Sequence, residues 1–139
     1  QAEAMETVSR VCEVAGRACV EMGRPEWLFG EVHAACQGCG QEGAYLGCLE
    51  RWILAGRVRL LPPDVMQRLL EWLRAQRERG RMEDCMLHID LSSLDFHRAV
   101  KLCRDERLSR ALVYLYNTGL NDFSTPAAWL LSCLDEGSG

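Results

Sequence analysis

No apolar run in the chain approaches the roughly 20 residues that a membrane-spanning helix needs. The start, QAEAMETVSR, has neither the basic flank nor the apolar segment of a signal peptide, and no initiator Met. Together with the closing EGSG, this reads as a piece of a longer chain, with residues 137–139 a flexible or added tail. No glycine-rich phosphate loop is present, since Gly38, Gly40 and Gly43 follow no strand pattern and match neither phosphate-binding spacing. Strand alternation is also missing: ALVYLY, from Ala111, is β-prone in isolation, but its frame and flanking caps are those of a helix. The three histidines, His33, His88 and His97, stand in no motif that would give a nucleophilic cysteine its base. Carboxylates fall on charged helix faces or at caps rather than as isolated pairs in apolar runs, so acid/base chemistry has no support. A formal net charge of −4 argues against a nucleic-acid or anionic-membrane surface. The expectation is a protein that is not an enzyme and binds no cofactor.

What remains is helix grammar. The 139 residues, 48% hydrophobic and 26% charged, suit one folded domain with a modest core. Residues 5–22 place Val8, Val11, Cys12, Ala15, Cys19 and Met22 on one face at steps of three and four, and Gly23 ends that helix. Pro25 suits the first turn of a second helix with Trp27, Leu28, Val32 and Cys36 inward. A third runs from Glu42 to Ala55 on a Tyr45, Leu46, Leu49, Trp52 and Ile53 stripe, closed by Gly56. Pro62-Pro63-Asp64 opens a fourth, with Val65, Leu69, Trp72 and Leu73 inward and Gly80 as its stop. A short fifth, from Met82 to His88, is followed by Asp90-Leu91-Ser92-Ser93. Asp95 is the N-cap of the next helix, whose inner face is Phe96, Ala99, Val100 and Cys103. Leu108, Ala111, Leu112, Leu115 and Tyr116 mark another before Gly119. Thr125 as N-cap and Pro126 at the first helical position open the last.

Eight cysteines are the compositional oddity. Most sit at helical spacing among apolar residues, where free Cys behaves as a small buried hydrophobe. Without secretory context they read as reduced thiols in the cytosol. His33-x-x-Cys36-x-x-Cys39, with Cys48 beyond, is the one candidate zinc set, because its spacing is ligand-like. It has no second tight pair, and His33 and Cys36 lie on a core face, so packed thiols beside a glycine-rich turn are expected instead. A redox pair at Cys36/Cys39 lacks the βαβ context of thioredoxin-like motifs. Arg74, Arg77, Arg79 and Arg81 have phosphate-binding chemistry, but Glu78 and Glu83 interleave with them, as on a solvated helix end. The four tryptophans fall at core spacing.

About eight helices joined by short loops imply antiparallel αα-hairpins. The expected class is all-α, an α-solenoid segment over residues 1–136 with a weaker division near 56–63. No strict repeat and no tetratricopeptide signature appears, although degenerate solenoids share this pattern. Apolar residues on both the first and last helices predict that the isolated chain self-associates through its ends.

The run from Cys85 to Pro126, CMLHIDLSSLDFHRAVKLCRDERLSRALVYLYNTGLNDFSTP, resembles the vacuolar protein sorting-associated protein 8 family, a subunit of the CORVET endosomal tethering complex. Leu60-Leu61-Pro62-Pro63-Asp64-Val65 is similar to the family's preceding helix, so the resemblance covers roughly residues 50–130. It implies a segment of the central α-solenoid of a large subunit, in which a β-propeller comes before and a RING-type zinc domain after. Early-endosomal Rab GTPase recognition would lie outside these residues. Carried over residue by residue are Asp95 and Phe96 opening a repeat helix, Ala111 as a tight contact and Gly119 closing a helix. The implied role is a non-catalytic scaffold whose partners are other tethering subunits. It would be cytoplasmic, and peripheral on endosomal membranes through the complex. The alternatives are a small zinc-binding regulatory domain using His33, Cys36, Cys39 and Cys48, or a solenoid of the clathrin or HOPS class.

Overall fold

The computed structural model describes residues 2–122 and 124–138, and of residues 2–5, 8, 9, 137 and 138 the backbone alone. Helix α1 (Ala2–Met22) is closed by Gly23 at φ 67, a left-handed position that glycine occupies without a Cβ clash. Its buried line is Cys12, Gly16 and Cys19. Val11 and Met22, expected inside, are 61% and 62% exposed, and the Val8 side chain lies outside the described residues. Gly16 decides this orientation. A Cβ built there would sit 2.8 Å from Trp52 Cζ3 and closer still to Cη2, so the α1 contact is centred on a glycine that admits an indole.

Helices α2 (Pro25–Trp27) and α3 (His33–Gly38) are continuous through a π turn (Leu28–Val32). Leu28, His33 and Cys36 are buried. Trp27, expected in the core, is exposed beneath the Arg24 guanidinium, 5.2 Å from its ring centroid. Helix α4 (Glu42–Leu54) is the most enclosed and buries Tyr45, Leu46, Cys48, Leu49, Glu50, Trp52 and Ile53. Each fully buried large apolar side chain there contributes about 1.5–3 kcal/mol relative to exposure.

Helix α5 (Pro63–Ala75) ends earlier than expected, and Gly80 lies inside α6 (Arg79–His88) instead of stopping α5. The stop is Arg77 at φ 59. Its amide donates to Arg74 O (2.9 Å) and the Glu78 amide to Leu73 O (3.1 Å), which satisfies the last carbonyls of α5 and frees the chain to re-enter a helix at once. Met82, Cys85, Met86 and Ile89 are buried as expected. A 3-10 turn (Leu91–Ser93) follows, with Asp90 accepting from the Ser92 amide.

Asp95 caps α7 (Phe96–Glu106) by accepting from the Arg98 amide at 3.3 Å. Arg107 closes α7 at φ 57. Helix α8 (Ser109–Tyr114) runs into a second π turn (Leu115–Gly119) and stops at Asn121, φ 53. Gly119 serves a steric purpose, since a Cβ there would come 3.2 Å from Phe96 Cε2. Helix α9 (Ser124–Ser138) takes its cap from Asp122, which accepts from the Ser124 and Thr125 amides and from the Thr125 hydroxyl at 2.6 Å. A carboxylate that reaches both amides displaces Thr125 from the capping place, so Thr125 and Pro126 lie in the first turn.

Counting α2–α3 as one, this is an all-helical chain of eight helices with no strand among the described residues. Helices α4, α6, α8 and α9 contact one another in succession, α5 lies across α4 and α6, and α7 packs on α8. The result is an α-solenoid of two layers, with α1 and α2–α3 against α4.

Candidate protein-interaction surfaces

The four candidate zinc ligands, for which packed thiols are the expectation, are taken up separately. His33 stacks on Tyr45 with ring centroids 4.5 Å apart, and its Nε2 lies 2.6 Å from Glu42 Oε2. Cys48 is buried and accepts from Arg51 Nη2. Cys39 is exposed. Cys36 is joined to Cys12 as a disulfide between α3 and α1, which corrects the expectation of reduced thiols throughout. The two cysteines lie on the buried lines of helices that face each other, a relation that the spacing within either helix does not encode. Among the described residues no group of three or more His, Cys, Asp and Glu is placed to hold a metal ion. Burial holds the Cys85 and Cys103 thiols at about 12, far above the range where a thiolate forms.

Ion pairs that the linear pattern does not announce tie the layers together. Glu42 accepts from Arg68 Nε (2.6 Å) and Nη2 (3.0 Å) and from Gln37 (2.7 Å), besides its contact with His33. The Arg68 bonds, then those of His33 and Gln37, hold its carboxyl down at about 2. Glu50, buried on α4, takes a bidentate pair from Arg81 of α6, whose guanidinium also lies 5.8 Å over the Trp72 ring. Glu83 of α6 accepts from the Ala111 amide at 3.0 Å, a carboxylate placed at the N-terminus of α8. Ser93, fully buried, accepts from the Leu61 amide at 2.8 Å.

Among the described residues, three open surfaces stand out. One is a groove of about 510 Å³ between α5 and α7, with Leu70, Leu94 and Leu102 among its apolar lining and Asp64, Glu71 and Lys101 among its charged lining. A second is the paired outer faces of the end helices: Val11, Val14 and Met22 on α1, and Leu131 and Leu134, 63% and 69% exposed, on α9. The third is the edge formed by the α5–α6 and α7–α8 turns, where Arg74, Arg77 and Arg79 line a depression of about 420 Å³ with Met82 and Glu106. His88 and His97 are exposed and belong to none of these; His88 Nδ1 contacts Asp84 O within its own helix, and His97 lies edge-on to Phe96.

The chain is similar to known proteins over the same helices. Residues 44–138 match the family described as Vps8 central TPR. It is 32% identical over 109 residues to the vacuolar protein sorting-associated protein 8 homolog of Mus musculus, covering 78% of this chain and 8% of that protein. The Homo sapiens homolog is 30% identical over the same shares. Vacuolar protein sorting-associated protein 8 of Saccharomyces cerevisiae is 24% identical over 87 residues, 63% of this chain and 7% of that protein. The chain thus spans less than a tenth of the length of these curated relatives. No solved structure matches it significantly. The match covers α5 to α9 in full, a stretch without a tetratricopeptide signature, since stacked hairpins need an apolar face on each side and no fixed consensus. The chain belongs to the Vps8 family, within the region described as its central TPR.

Proposed function

We propose that the chain is a non-catalytic scaffold segment of a CORVET-like endosomal tethering subunit, acting in vacuolar protein sorting as its relatives' names indicate. The observation that carries this reading is the family match over residues 44–138, laid on an unbroken stack of helices whose open surfaces are faces and edges. Its mechanism is geometric. Ion pairs such as Glu50–Arg81 and Arg74–Glu106 fix one helix against the next, so the stack holds its ends apart and offers its sides to other subunits. Rab GTPase recognition is assigned to residues outside this chain, and endosomal placement to the assembled complex.

Co-purification tests the reading. The tagged chain, mixed with the remaining tethering subunits, is expected to be retained by at least one of them, and retention by none refutes the assignment. The exposed apolar lines of α1 and α9 also favour end-to-end association of the isolated chain. Light scattering should show a mass rising with concentration, and a concentration-independent monomer would sink that part.

A further inference from the structure

The turns that join α5 to α6 and α7 to α8 share a chemistry that stacking does not require. Helix α5 closes on Arg74-x-x-Arg77, and one hairpin later α7 closes on Arg104-x-x-Arg107. In both, the second arginine takes the left-handed conformation, φ 59 and φ 57. A residue with a Cβ is crowded there, and glycine is the usual occupant. The same chain uses glycine for left-handed turns at Gly23, Gly40 and Gly56. The bonds that make the two arginine turns are backbone bonds, Arg77 N to Arg74 O and Leu108 N to Cys103 O among them, and any residue provides them.

The fold neutralises this edge only in part. Among the described residues, Arg77, Arg79 and Arg104 have no carboxylate at ion-pair distance, whereas Arg74 pairs with Glu106 at 2.7 Å and Arg107 with Glu136 at 3.2 Å. Glu78, the carboxylate of the α5–α6 turn, leans to Arg81 at 4.0 Å. Arg104 donates to the Tyr116 hydroxyl, and Arg79 to Glu106 O. Arg74, Arg77 and Arg79 converge on the same depression, on a chain whose formal net charge is −4. Backbone strain kept at two equivalent turns, at positions that place guanidinium groups along one edge, is the pattern of a functional site held at a cost in stability.

We propose that this arginine edge docks an acidic segment of a partner protein, with guanidinium forks taking carboxylates in bidentate pairs. The scaffold reading says only who supplies the segment; the edge's preference for carboxylates stands or falls by itself. The probe is a labelled alternating Glu-Ser peptide, with the Gln-Ser peptide as its neutral counterpart, followed by fluorescence anisotropy. The Glu-Ser peptide should bind with an affinity that falls steeply as salt is added. The Gln-Ser peptide should bind at least about tenfold more weakly, the size of one charge-assisted contact.

The decisive variant is Arg77→Gly with Arg107→Gly. Glycine is the residue these turns accommodate best, so this variant is expected to fold with an unchanged or raised Tm while losing about tenfold in peptide affinity. Equal affinity of variant and wild type, or no preference for Glu-Ser over Gln-Ser, overturns the proposal. Tighter binding of the wild type to phosphatidylserine vesicles than to the peptide overturns the assignment to a protein segment. Undiminished co-purification of the double variant with a tethering subunit overturns the edge and leaves the scaffold reading intact. Failure of the wild type to co-purify, with the peptide preference present, does the reverse.

Discussion

Gly16→Ala isolates the contact on which the first hairpin depends. In mid-helix, alanine in place of glycine is normally favourable by about 0.5–1 kcal/mol. At position 16 the new methyl would lie 2.8 Å and 3.0 Å from Trp52 Cζ3 and Cζ2, against a carbon–carbon optimum near 3.5–4.0 Å. Trp52 is itself only 9% exposed, so it cannot swing into solvent without giving up its burial. Overpacking of this kind costs about 1–3 kcal/mol, and complete loss of the tryptophan contact sets a ceiling of about 3–5 kcal/mol. The net expectation is a loss of about 2 kcal/mol, or a fall in Tm of about 6–8 °C for a chain of this size. Gly47→Ala on α4 is the matched control, because its Cβ would meet Trp72 Cη2 at 3.6 Å, ordinary contact. It should gain about 0.5–1 kcal/mol from helix propensity alone. Thermal unfolding followed by tryptophan emission measures both, and Trp52→Phe adds a double-mutant cycle. The smaller ring should remove most of the Gly16→Ala penalty, giving a coupling of at least about 1 kcal/mol. If Gly16→Ala and Gly47→Ala shift Tm in the same direction, or if the penalty survives in the Trp52→Phe background, the account of α1 packing is wrong.

The remaining predictions concern polar groups and the disulfide. Glu42, at about 2 in the fold and 4.5 as its ordinary value, contributes stability that is fully present above about pH 4.5 and is lost as pH falls towards 2. At face value the shift is worth about 3 kcal/mol, and about half that after screening, since Arg68 is half-exposed. Denaturant unfolding of wild type and Glu42→Gln should therefore converge below pH 4, and a constant gap across that range would contradict it. Ser93→Ala leaves the buried Leu61 amide without its acceptor, which should cost about 1–3 kcal/mol, readable as a lower midpoint in urea; no change would mean that another group serves that amide. Of the eight cysteines, six are free thiols, so thiol titration of the denatured, unreduced chain should return six, and eight would remove the Cys12–Cys36 bridge. The bridge's closed loop of 24 residues is worth about 3 kcal/mol in the chain-entropy view, a difference that Cys12→Ser should abolish between reducing and oxidising buffers.

Helix existence was legible because each helix advertises itself locally. The apolar steps of α4, the Pro62-Pro63-Asp64 opening of α5 and the Asp95 cap of α7 are all written within one or two turns of sequence, and all appear in the structure. The misplacements have one physical origin. Glycine commonly ends helices, which points to Gly80 as a stop, yet Arg77 ends α5 through backbone bonds that a pattern of residue types does not reveal. Their apolar character points Val11 and Met22 inward, but the face of α1 that is buried follows from Gly16 and the ring it receives. The partners of His33 and Cys36 are Glu42 and Cys12, and neither pairing is written in a local spacing. Of the open surfaces, the end faces follow from apolar steps in α1 and α9, whereas the arginine edge needs two left-handed turns to come into register.

These packing details also explain how a stack can keep its fold without a repeating consensus. Trp52 of α4 enters the space left by Gly16 on α1, and Trp72 of α5 lies against Gly43 on α4. Phe96 of α7 closes on Gly119 at the end of α8. In each case a ring from one helix occupies the absence of a Cβ on its neighbour, which brings the two backbones close and fixes their relative rotation. Such a pair specifies register by shape, and it can be placed at a different step in every hairpin. A consensus scan looks for the same residue at the same offset and finds none, although the physical device recurs along the chain. Stability of the scaffold is then set by each local fit and not by the average hydrophobicity of a repeat. A single methyl at Gly16 should therefore outweigh a comparable change on any exposed face of the stack.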